Sequence, residues 1–209
     1  MDRRLSPLRQ VRAGRGFTLV ELLTVITILG IILTIGIPSL RDWIDRARVR
    51  SAVEDIQNGI RLAQAEAAKA NLQVEFSLHA NRPAPVGGIF GDGALNPAAS
   101  ASGIFWAVRV LPSNDLVQAG DFGSGSVEIS GGGPLIFNGI GRVLTDLTPP
   151  PAYLLAPQVY RAQSINNRFP MCVFVQPGGG VRWCDPSITI PGSMLACPAG
   201  IAGTCLGLP

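Results

Sequence analysis

A run of 24 residues from Phe17 to Leu40 constrains the chain most strongly, because Glu21 is its only charged member. As a helix the run would extend ~36 Å, which exceeds the ~30 Å thickness of the hydrocarbon core of a bilayer. It is also longer than the roughly 7–15 apolar residues of an ordinary secretory signal, and no A-x-A-like cleavage site closes it. The sequence therefore predicts a transmembrane helix over residues 17–40.

The sixteen residues before this run are polar and basic. They hold one aspartate and five arginines, so they carry +4 and leave −1 for the rest of the chain, out of a total of +3. By the positive-inside rule the arginines stay in the cytoplasm, and the chain after residue 40 is expected in the periplasm. Bulk charge therefore gives no support for nucleic-acid binding by the remainder. The leader arginines are Arg3, Arg4, Arg9, Arg12 and Arg15.

The junction between the leader and the apolar run reads RGFTLVE at residues 15–21. This heptad, with the apolar run behind it, closely resembles the class III signal of type IV pilins and type II secretion pseudopilins. The resemblance implies that a prepilin peptidase cuts between Gly16 and Phe17 and then N-methylates Phe17. It also assigns an assembly role to Glu21, Gly30 and Pro38, which fall where that family keeps a glutamate, a glycine and a proline.

The physical chemistry of Glu21 agrees with that role. A carboxylate at the centre of a membrane helix costs roughly 2.5–3.5 kcal/mol. Glu21 lies only four residues after the predicted cut, which is ~6 Å along a helix from the new amine. In a filament, the amine of a neighbouring subunit would neutralise it and set the register, whereas the plainer interpretation is a carboxylate at the headgroup boundary. Pro38 is expected to kink or open the helix near the end of the run.

After Pro38 the sequence becomes amphipathic. Apolar residues recur at spacings of three and four, which is one stripe of a helix, and Asn71 is a suitable stop. One helix is therefore predicted from about residue 18 to 70, with residues 41–71 continuing into a globular domain. The stripe consists of Val49, Val53, Ile56, Ile60, Ala63, Ala67 and Ala70.

Residues 61–74 resemble one particular group within this family. Their sequence, RLAQAEAAKANLQV, resembles the R-x-A-x-x-E-A-x-x-x-N-x-x-V pattern of the GspH/FimT group of minor pilins. In that group the helix leads straight into the first strand, which we expect here at residues 74–78 with alternating apolar positions. The segment at residues 135–142 resembles the I-x-F-x-x-x-G-R element of the same group.

Residues 72–209 are expected to form a β-rich periplasmic head. Strands are predicted at 104–110, 127–130 and 135–137, a long loop at 80–103, and an irregular proline-rich segment at 145–158. Together these elements predict an α+β fold in which the second half of the long helix packs on an antiparallel sheet.

All four cysteines lie near the C-terminus, which predicts a disulfide-bonded region in an exported protein. Strands at 172–175 and 181–184 form a hairpin when centred on Gly178, and Cys172 then faces Cys184. Facing residues have Cβ atoms ~4.5–5.5 Å apart, so we expect a Cys172–Cys184 bond and, by elimination, Cys197–Cys205, out of three possible connectivities. The ending G-V-R-W-C-D-P at 180–186 resembles that of FimT/FimU-like proteins, with glycine in place of the group's first arginine.

An enzyme is not expected. His79 is the only histidine, and no motif places a nucleophile beside it. The glycine runs at 131–133 and 178–180 lack the lysine and the serine or threonine of a phosphate-binding loop. The cysteines contain no C-x-x-C pair, so neither a metal nor a cofactor is predicted.

The resemblance implies a minor type IV pilin that assists pilus assembly and initiation at the filament tip. It would cross the inner membrane once before assembly, with prepilin peptidase, other minor and major pilins and inner-membrane lipid as partners. A type II secretion minor pseudopilin and a DNA-binding minor pilin for natural transformation are the alternatives. For DNA the candidates are Arg161, Arg168 and Arg182, although scattered surface arginines are the plainer interpretation.

Overall fold

The structure is a computed structural model that describes residues 16–85, 95–96, 100, 102–111, 113–123, 125–144, 154–190 and 192–207, with the side chains of 35–39, 84, 85, 95 and 96 left out. The predicted leader, apart from Gly16, lies outside the described residues. So do much of the predicted loop at 80–103 and most of the proline-rich segment at 145–158.

The described residues form one long helix, two main β-sheets, a two-stranded sheet and a short C-terminal helix. The elements are α1 (Leu19–Ala70), β1 (Gln73–His79), β2 (Ala84–Pro85), β3 (Leu95–Asn96), β4 (Phe105–Leu111), β5 (Leu116–Asp121), β6 (Val127–Ser130), β7 (Leu135–Phe137), β8 (Val143–Leu144), β9 (Gln158–Ser164), β10 (Met171–Val175), β11 (Val181–Cys184) and α2 (Ala199–Leu206). The chain divides into an N-terminal unit that ends at Asp42 and a head, Trp43–Pro209. The predicted α+β class and the long helix are confirmed.

Within the head, α1 buries the predicted apolar stripe. Val49, Ile56 and Ile60 are completely buried and belong to one core with residues of both main sheets. Burying such a side chain contributes roughly 1.5–3 kcal/mol. Ala70 is exposed instead, because the helix ends there. Asn71 adopts a φ of 52°, in the left-handed region that asparagine tolerates, and so ends the helix as predicted.

Gly59 explains how closely the helix approaches the first sheet. A Cβ atom at this position would lie 2.7 Å from the ring of Phe76 on β1. The Phe76 ring in turn stacks at 6.2 Å on Trp106 of β4 and meets Tyr160 of β9 edge-on at 5.9 Å. The glycine therefore makes room for the aromatic centre of the core.

The first main sheet is antiparallel, in the order β5-β4-β1-β7-β8. The predicted alternation along β1 is confirmed on the helix side, where Val74 and Phe76 are buried. The opposite side is polar but buried too, since Glu75 is only 4% exposed. Its carboxylate accepts two hydrogen bonds from the cross-strand guanidinium of Arg109, both at 3.0 Å. Paired in this way, the charge is tolerated inside the protein.

The second main sheet, in the order β11-β10-β9-β6, was not distinguished from the first in the sequence. One face, with Val173 and Tyr160, joins the core around α1. Burial raises the pKa of the Tyr160 phenol, and the charge of Glu75 raises it further. The phenol donates a hydrogen bond to the carbonyl of Gly133 at 2.7 Å. The other face, with Phe174, is covered by α2 through Ile201.

The β10–β11 hairpin has the predicted register. Val175 pairs with Val181, and Cys172 pairs with Cys184. Gly179 in the connecting turn has a φ of 88°, which favours glycine, and its carbonyl accepts a hydrogen bond from the side chain of Gln64 on α1. The hairpin turn is therefore attached to the helix.

The predicted disulfide pairing was wrong. The structure joins Cys172 to Cys205 and Cys184 to Cys197, with Cα–Cα distances of 5.9 and 4.9 Å. The two facing cysteines of the hairpin both point out of the same side of the sheet, where the C-terminal segment crosses it. Each therefore bonds to that segment rather than to its neighbour, and the 184–197 loop lies inside the 172–205 loop.

Candidate assembly segment

The sequence-predicted assembly residues lie in the N-terminal unit, at and after the start of α1. Gly16 and Phe17 precede the helix, and the side chain of Phe17 is 84% exposed. The predicted cleavage site is thus an accessible peptide bond outside the helix. The structure does not test the cut itself, and methylation of Phe17 stays a prediction.

Thr18 caps the helix immediately after the predicted cut. Its hydroxyl oxygen accepts a hydrogen bond from the backbone N–H of Glu21 at 3.2 Å. The spacing of Thr18 and Glu21 is that of a capping box, in which a threonine and a glutamate three residues later close the first turn. A negative charge in this turn is also favoured by the helix dipole. Because the cap lies after the cut, the helix start does not depend on the leader.

Apolar side chains cover the N-terminal unit on every side. The large hydrophobic residues between Leu19 and Leu33 are each at least half exposed, from 50% for Leu33 to 78% for Leu19. A helix with no polar face is stable only when it is surrounded by apolar material such as lipid or other helices. The described residues of this chain leave these side chains uncovered.

The polar groups of the segment are mostly satisfied by the helix itself. The hydroxyls of Thr24, Thr27 and Thr34 donate to backbone carbonyls three or four residues earlier. Among the described residues, the Glu21 carboxylate has neither an ion pair nor a hydrogen-bond donor outside its own turn. Within residues 19–33 it is the only charged side chain.

Gly30 has no packing role within the chain, because a Cβ built there would meet no atom within 4 Å. Pro38 lies inside α1, which is helical from Leu19 to Ala70, and its side chain is outside the described residues. Roles in assembly for both stay predictions. Within the part of the chain that the structure describes, we find no helix that is both long enough and apolar enough to cross a membrane.

The three arginines predicted for DNA contact lie apart in the second sheet. Arg161 is half-buried on β9, with its guanidinium against the left-handed Gly207 that ends α2. That position favours a cation because of the helix dipole. Arg168 lies in the β9–β10 turn, whereas Arg182 is exposed on β11 opposite Phe174. DNA contact stays a prediction for them.

Other titratable groups of the head have structural roles. His79 is buried on β1, where its Nε2 lies 3.1 Å from the hydroxyl of Ser77. Partial burial, with smaller contributions from Glu54 and Asp121, raises the pKa of Asp55. The described residues contain no group of ligating side chains that would hold a metal ion.

One cluster in the head was not predicted from the sequence. Phe169 lies between β9 and β10, and the guanidiniums of Arg46 and Arg168 lie over its ring at 4.4 and 4.8 Å. The sequence feature that could have drawn attention to Arg46 is its spacing from Trp43, because the two residues share a helix face directly after the apolar run.

Comparison with known protein families gives a match at the N-terminus. Residues 12–37 match the prokaryotic N-terminal methylation motif. The chain carries this methylation motif at its N-terminus. The resemblance first drawn from residues 15–21 is therefore confirmed for this segment. The matched residues include Gly16, Phe17 and Glu21, whose structure is described above.

The matches to curated relatives are also short. Two fimbrial proteins of Pseudomonas aeruginosa are each 41% identical to the chain over 46 residues, which is 22% of this chain and 30% of each relative. The match thus spans less than a third of the relatives' length. Among solved structures, two crystal forms of the type IV minor pilin FimU of P. aeruginosa align with TM-scores of 0.46 and 0.43. Their identities are 15% and 14%, covering 73% and 69% of this chain and 98% of theirs.

Proposed function

We propose that this pilin-like chain is a minor type IV pilin, a structural subunit that helps to start a pilus and stays at its tip. A prepilin peptidase cuts it between Gly16 and Phe17 and methylates Phe17. The apolar part of α1 then leaves the membrane and packs among the corresponding helices of other minor and major pilins. The chain acts as a building block and not as an enzyme.

One observation carries this proposal. The N-terminal unit joins a methylation motif to an apolar helix whose one carboxylate between residues 19 and 33, Glu21, has no ion-pair partner among the described residues. In a bundle of such helices the apolar faces cover one another, and the amine of a neighbouring Phe17 neutralises Glu21. Because a buried carboxylate without a partner is costly, this pairing favours one register between subunits.

Before assembly, we propose, residues 17–40 cross the inner membrane once with the head in the periplasm. The sequence supports this through the 24-residue apolar run and the five arginines in front of it. The two disulfides of the head support export as well, since such bonds form and persist in oxidising compartments such as the periplasm.

The experiment is a count of surface pili in a clean deletion strain whose major pilin gene is intact. We expect pili to be lost, to return with the intact gene, and to stay absent with a Glu21→Ala variant. A Glu54→Ala variant is the matched control, because Glu54 is an exposed carboxylate on the same helix that only pairs with Arg50 at 3.3 Å. It is expected to restore pili.

An unchanged pilus count in the deletion strain would contradict initiation of the pilus. A type II secretion pseudopilin would then be the better account, and loss of secreted proteins from the medium would identify it. Equal complementation by the Glu21→Ala and Glu54→Ala variants would contradict the pairing of Glu21 while leaving a role in the pilus intact.

A further inference from the structure

One tryptophan of the head is left at the surface when the head folds. Trp106 is 7% exposed in the core, and Trp183 is partly buried beside Arg50, whose guanidinium carbon lies 5.5 Å from the centroid of its ring. Trp43, the first residue of the head, is 68% exposed. Single apolar residues are common on protein surfaces, so this exposure alone indicates nothing. The position of Trp43 on helix α1 is what gives it meaning.

Helix geometry turns Trp43 away from the core of the head. Successive residues of an α-helix are rotated by ~100°, so Trp43 lies ~120° around the axis from Val49. Val49 is completely buried and is the first residue of the stripe that packs in the core. Ala47, one turn after Trp43, is exposed as well. The fold of the head therefore does not cover the indole.

Trp43 also lies at a boundary in the sequence of α1. No charged residue occurs from Leu22 to Leu40, whereas five of the eight residues from Arg41 to Arg48 are charged. Membrane helices change composition in this way where they leave the hydrocarbon, because charged side chains are costly inside it. An indole fits that level, since its ring is apolar and its N–H donates a hydrogen bond.

The folded head begins one helical turn beyond the indole. Arg46 lies three residues, or ~4.5 Å, after Trp43 along the helix. Its guanidinium carbon is 4.4 Å from the centroid of the Phe169 ring, which belongs to the turn between β9 and β10. The headgroups form a layer of roughly 5–7 Å on each side of the hydrocarbon core. With the indole in that layer, the head stands just outside the hydrocarbon.

The charged flanks of Trp43 favour lipid headgroups over a neighbouring subunit as its cover. Arg41 and Asp42 precede the indole, and Asp45 and Arg46 follow it within one turn. The buried centres of protein–protein interfaces are depleted of charged residues. A hydrated headgroup layer accepts an indole and charged side chains at the same level, and tryptophan is enriched there.

We propose that Trp43 contacts the phospholipid headgroups of the outer leaflet of the inner membrane before the chain is assembled. The ring faces the start of the acyl chains, and its Nε1–H donates a hydrogen bond to a phosphate or ester oxygen. This inference rests on the membrane-inserted subunit proposed above. The contact sets the level at which α1 leaves the bilayer, and it is lost when the helix passes into a filament.

The test is the tryptophan fluorescence of the processed full chain in phosphatidylcholine vesicles that carry bromine near the top of the acyl chains. Bromine quenches an indole in contact with it. Because one tryptophan of three is at headgroup level, we expect about a third of the fluorescence to be lost. The Trp43→Phe variant should lose almost none, and bromine near the bilayer centre should quench the intact chain less.

Trp183→Phe is the matched control, because Trp183 lies on β11 in contact with Arg50. This variant should keep the quenchable part, which rises to about a half of its fluorescence because two tryptophans remain. The Trp43→Phe variant should melt at the temperature of the intact chain, since the ring is mostly exposed. A folding defect would then not explain its loss of quenching.

Four results would overturn the proposal. Equal quenching of the intact chain and the Trp43→Phe variant would exclude contact with the top of the acyl chains. Stronger quenching by bromine at the bilayer centre would place the indole in the hydrocarbon. Quenching by aqueous acrylamide, with none by bromine, would place it in water. Protection from both quenchers would identify a neighbouring subunit as the cover.

Failure of this proposal and failure of the proposed function are distinguishable. Extraction of the chain from cell membranes by alkaline carbonate would contradict membrane insertion, and with it the proposed function. Conversely, resistance to carbonate together with no quenching of Trp43 by bromine would overturn only the headgroup contact.

Discussion

The two parts of helix α1 have the same backbone and opposite surroundings. After Trp43 the helix has a narrow apolar stripe, exemplified by Ile56, which is completely buried in the head. Between Leu22 and Leu33 it carries no charged side chain, and Ile28 is 58% exposed. The first arrangement is satisfied inside one chain, whereas we propose that lipid or other subunits cover the second. Mutations in the head should therefore change folding, and mutations in the N-terminal unit should change processing or assembly.

The two carboxylates Glu21 and Glu75 show the same contrast. Glu75 is buried and is held by two hydrogen bonds from Arg109 within the head. Glu21 has no such partner among the described residues. The contact between subunits that we propose at Glu21 would supply the partner that Arg109 supplies to Glu75.

The largest expected effect separates processing from folding. A Gly16→Val variant should block the cut that we propose directly after this glycine. Its head should melt at the wild-type temperature, because a Cβ atom at Gly16 meets no atom within 4 Å. The intact mass of the chain from cells that express a prepilin peptidase measures this. A Gly30→Ala variant is the control, since there is open space around Gly30, and it should be processed normally. Normal processing of the Gly16→Val variant would contradict the assignment of the cut.

Breaking the buried ion pair should give the next largest effect, and only on the head. An Arg109→Met variant leaves the Glu75 carboxylate buried without a partner, which should cost about 3–5 kcal/mol of unfolding free energy. The double variant Glu75→Leu/Arg109→Met should recover most of that loss in chemical denaturation. No recovery would show that the packing of Arg109, and not its charge, matters there.

The two disulfides should stabilise the head to different degrees. A Cys172→Ser/Cys205→Ser variant opens the larger loop, with a sequence separation of 33, and should lose about 4 kcal/mol. The Cys184→Ser/Cys197→Ser variant opens a loop with a separation of 13 and should lose about 3 kcal/mol. Disulfide mapping by mass spectrometry should give these two pairs, and a Cys172–Cys184 peptide would contradict the structure.

The smallest expected effect compares the two parts of α1 directly. Ile56→Val removes one buried methyl group and should cost about 0.5–1.5 kcal/mol. The same change at Ile28 should leave the melting of the head unaltered, because that side chain is 58% exposed among the described residues. Thermal unfolding of the processed chain in detergent measures both variants. Equal losses would show that the N-terminal unit packs on the head.

Periodic patterns made the helix and the hairpin predictable. The three-and-four spacing of Val49, Ile56 and Ile60 encodes the buried stripe, and the glycine turn around Gly178 fixes the register that places Cys172 opposite Cys184. Both patterns are local, so the sequence contains what is needed to interpret them.

What the sequence did not predict depends on contacts between distant segments. The disulfide pairing follows the path of residues 185–205 over the sheet, which no local pattern encodes. Strand β9, with the sequence QVYRAQS, has few apolar residues because small and polar side chains fit its position. Helix α2 is rich in glycine and alanine and is formed where the cysteines attach it. The contact of Arg46 with the Phe169 ring joins residues more than a hundred positions apart.

The central claim is that the chain is processed and then built into a filament. The most direct measurement is mass spectrometry of the N-terminal peptide of this chain in pili sheared from the cell surface. We expect a peptide that begins at Phe17 and carries one extra methyl group. Absence of the chain from the pili, with the leader still attached to the chain in the membrane, would contradict the account.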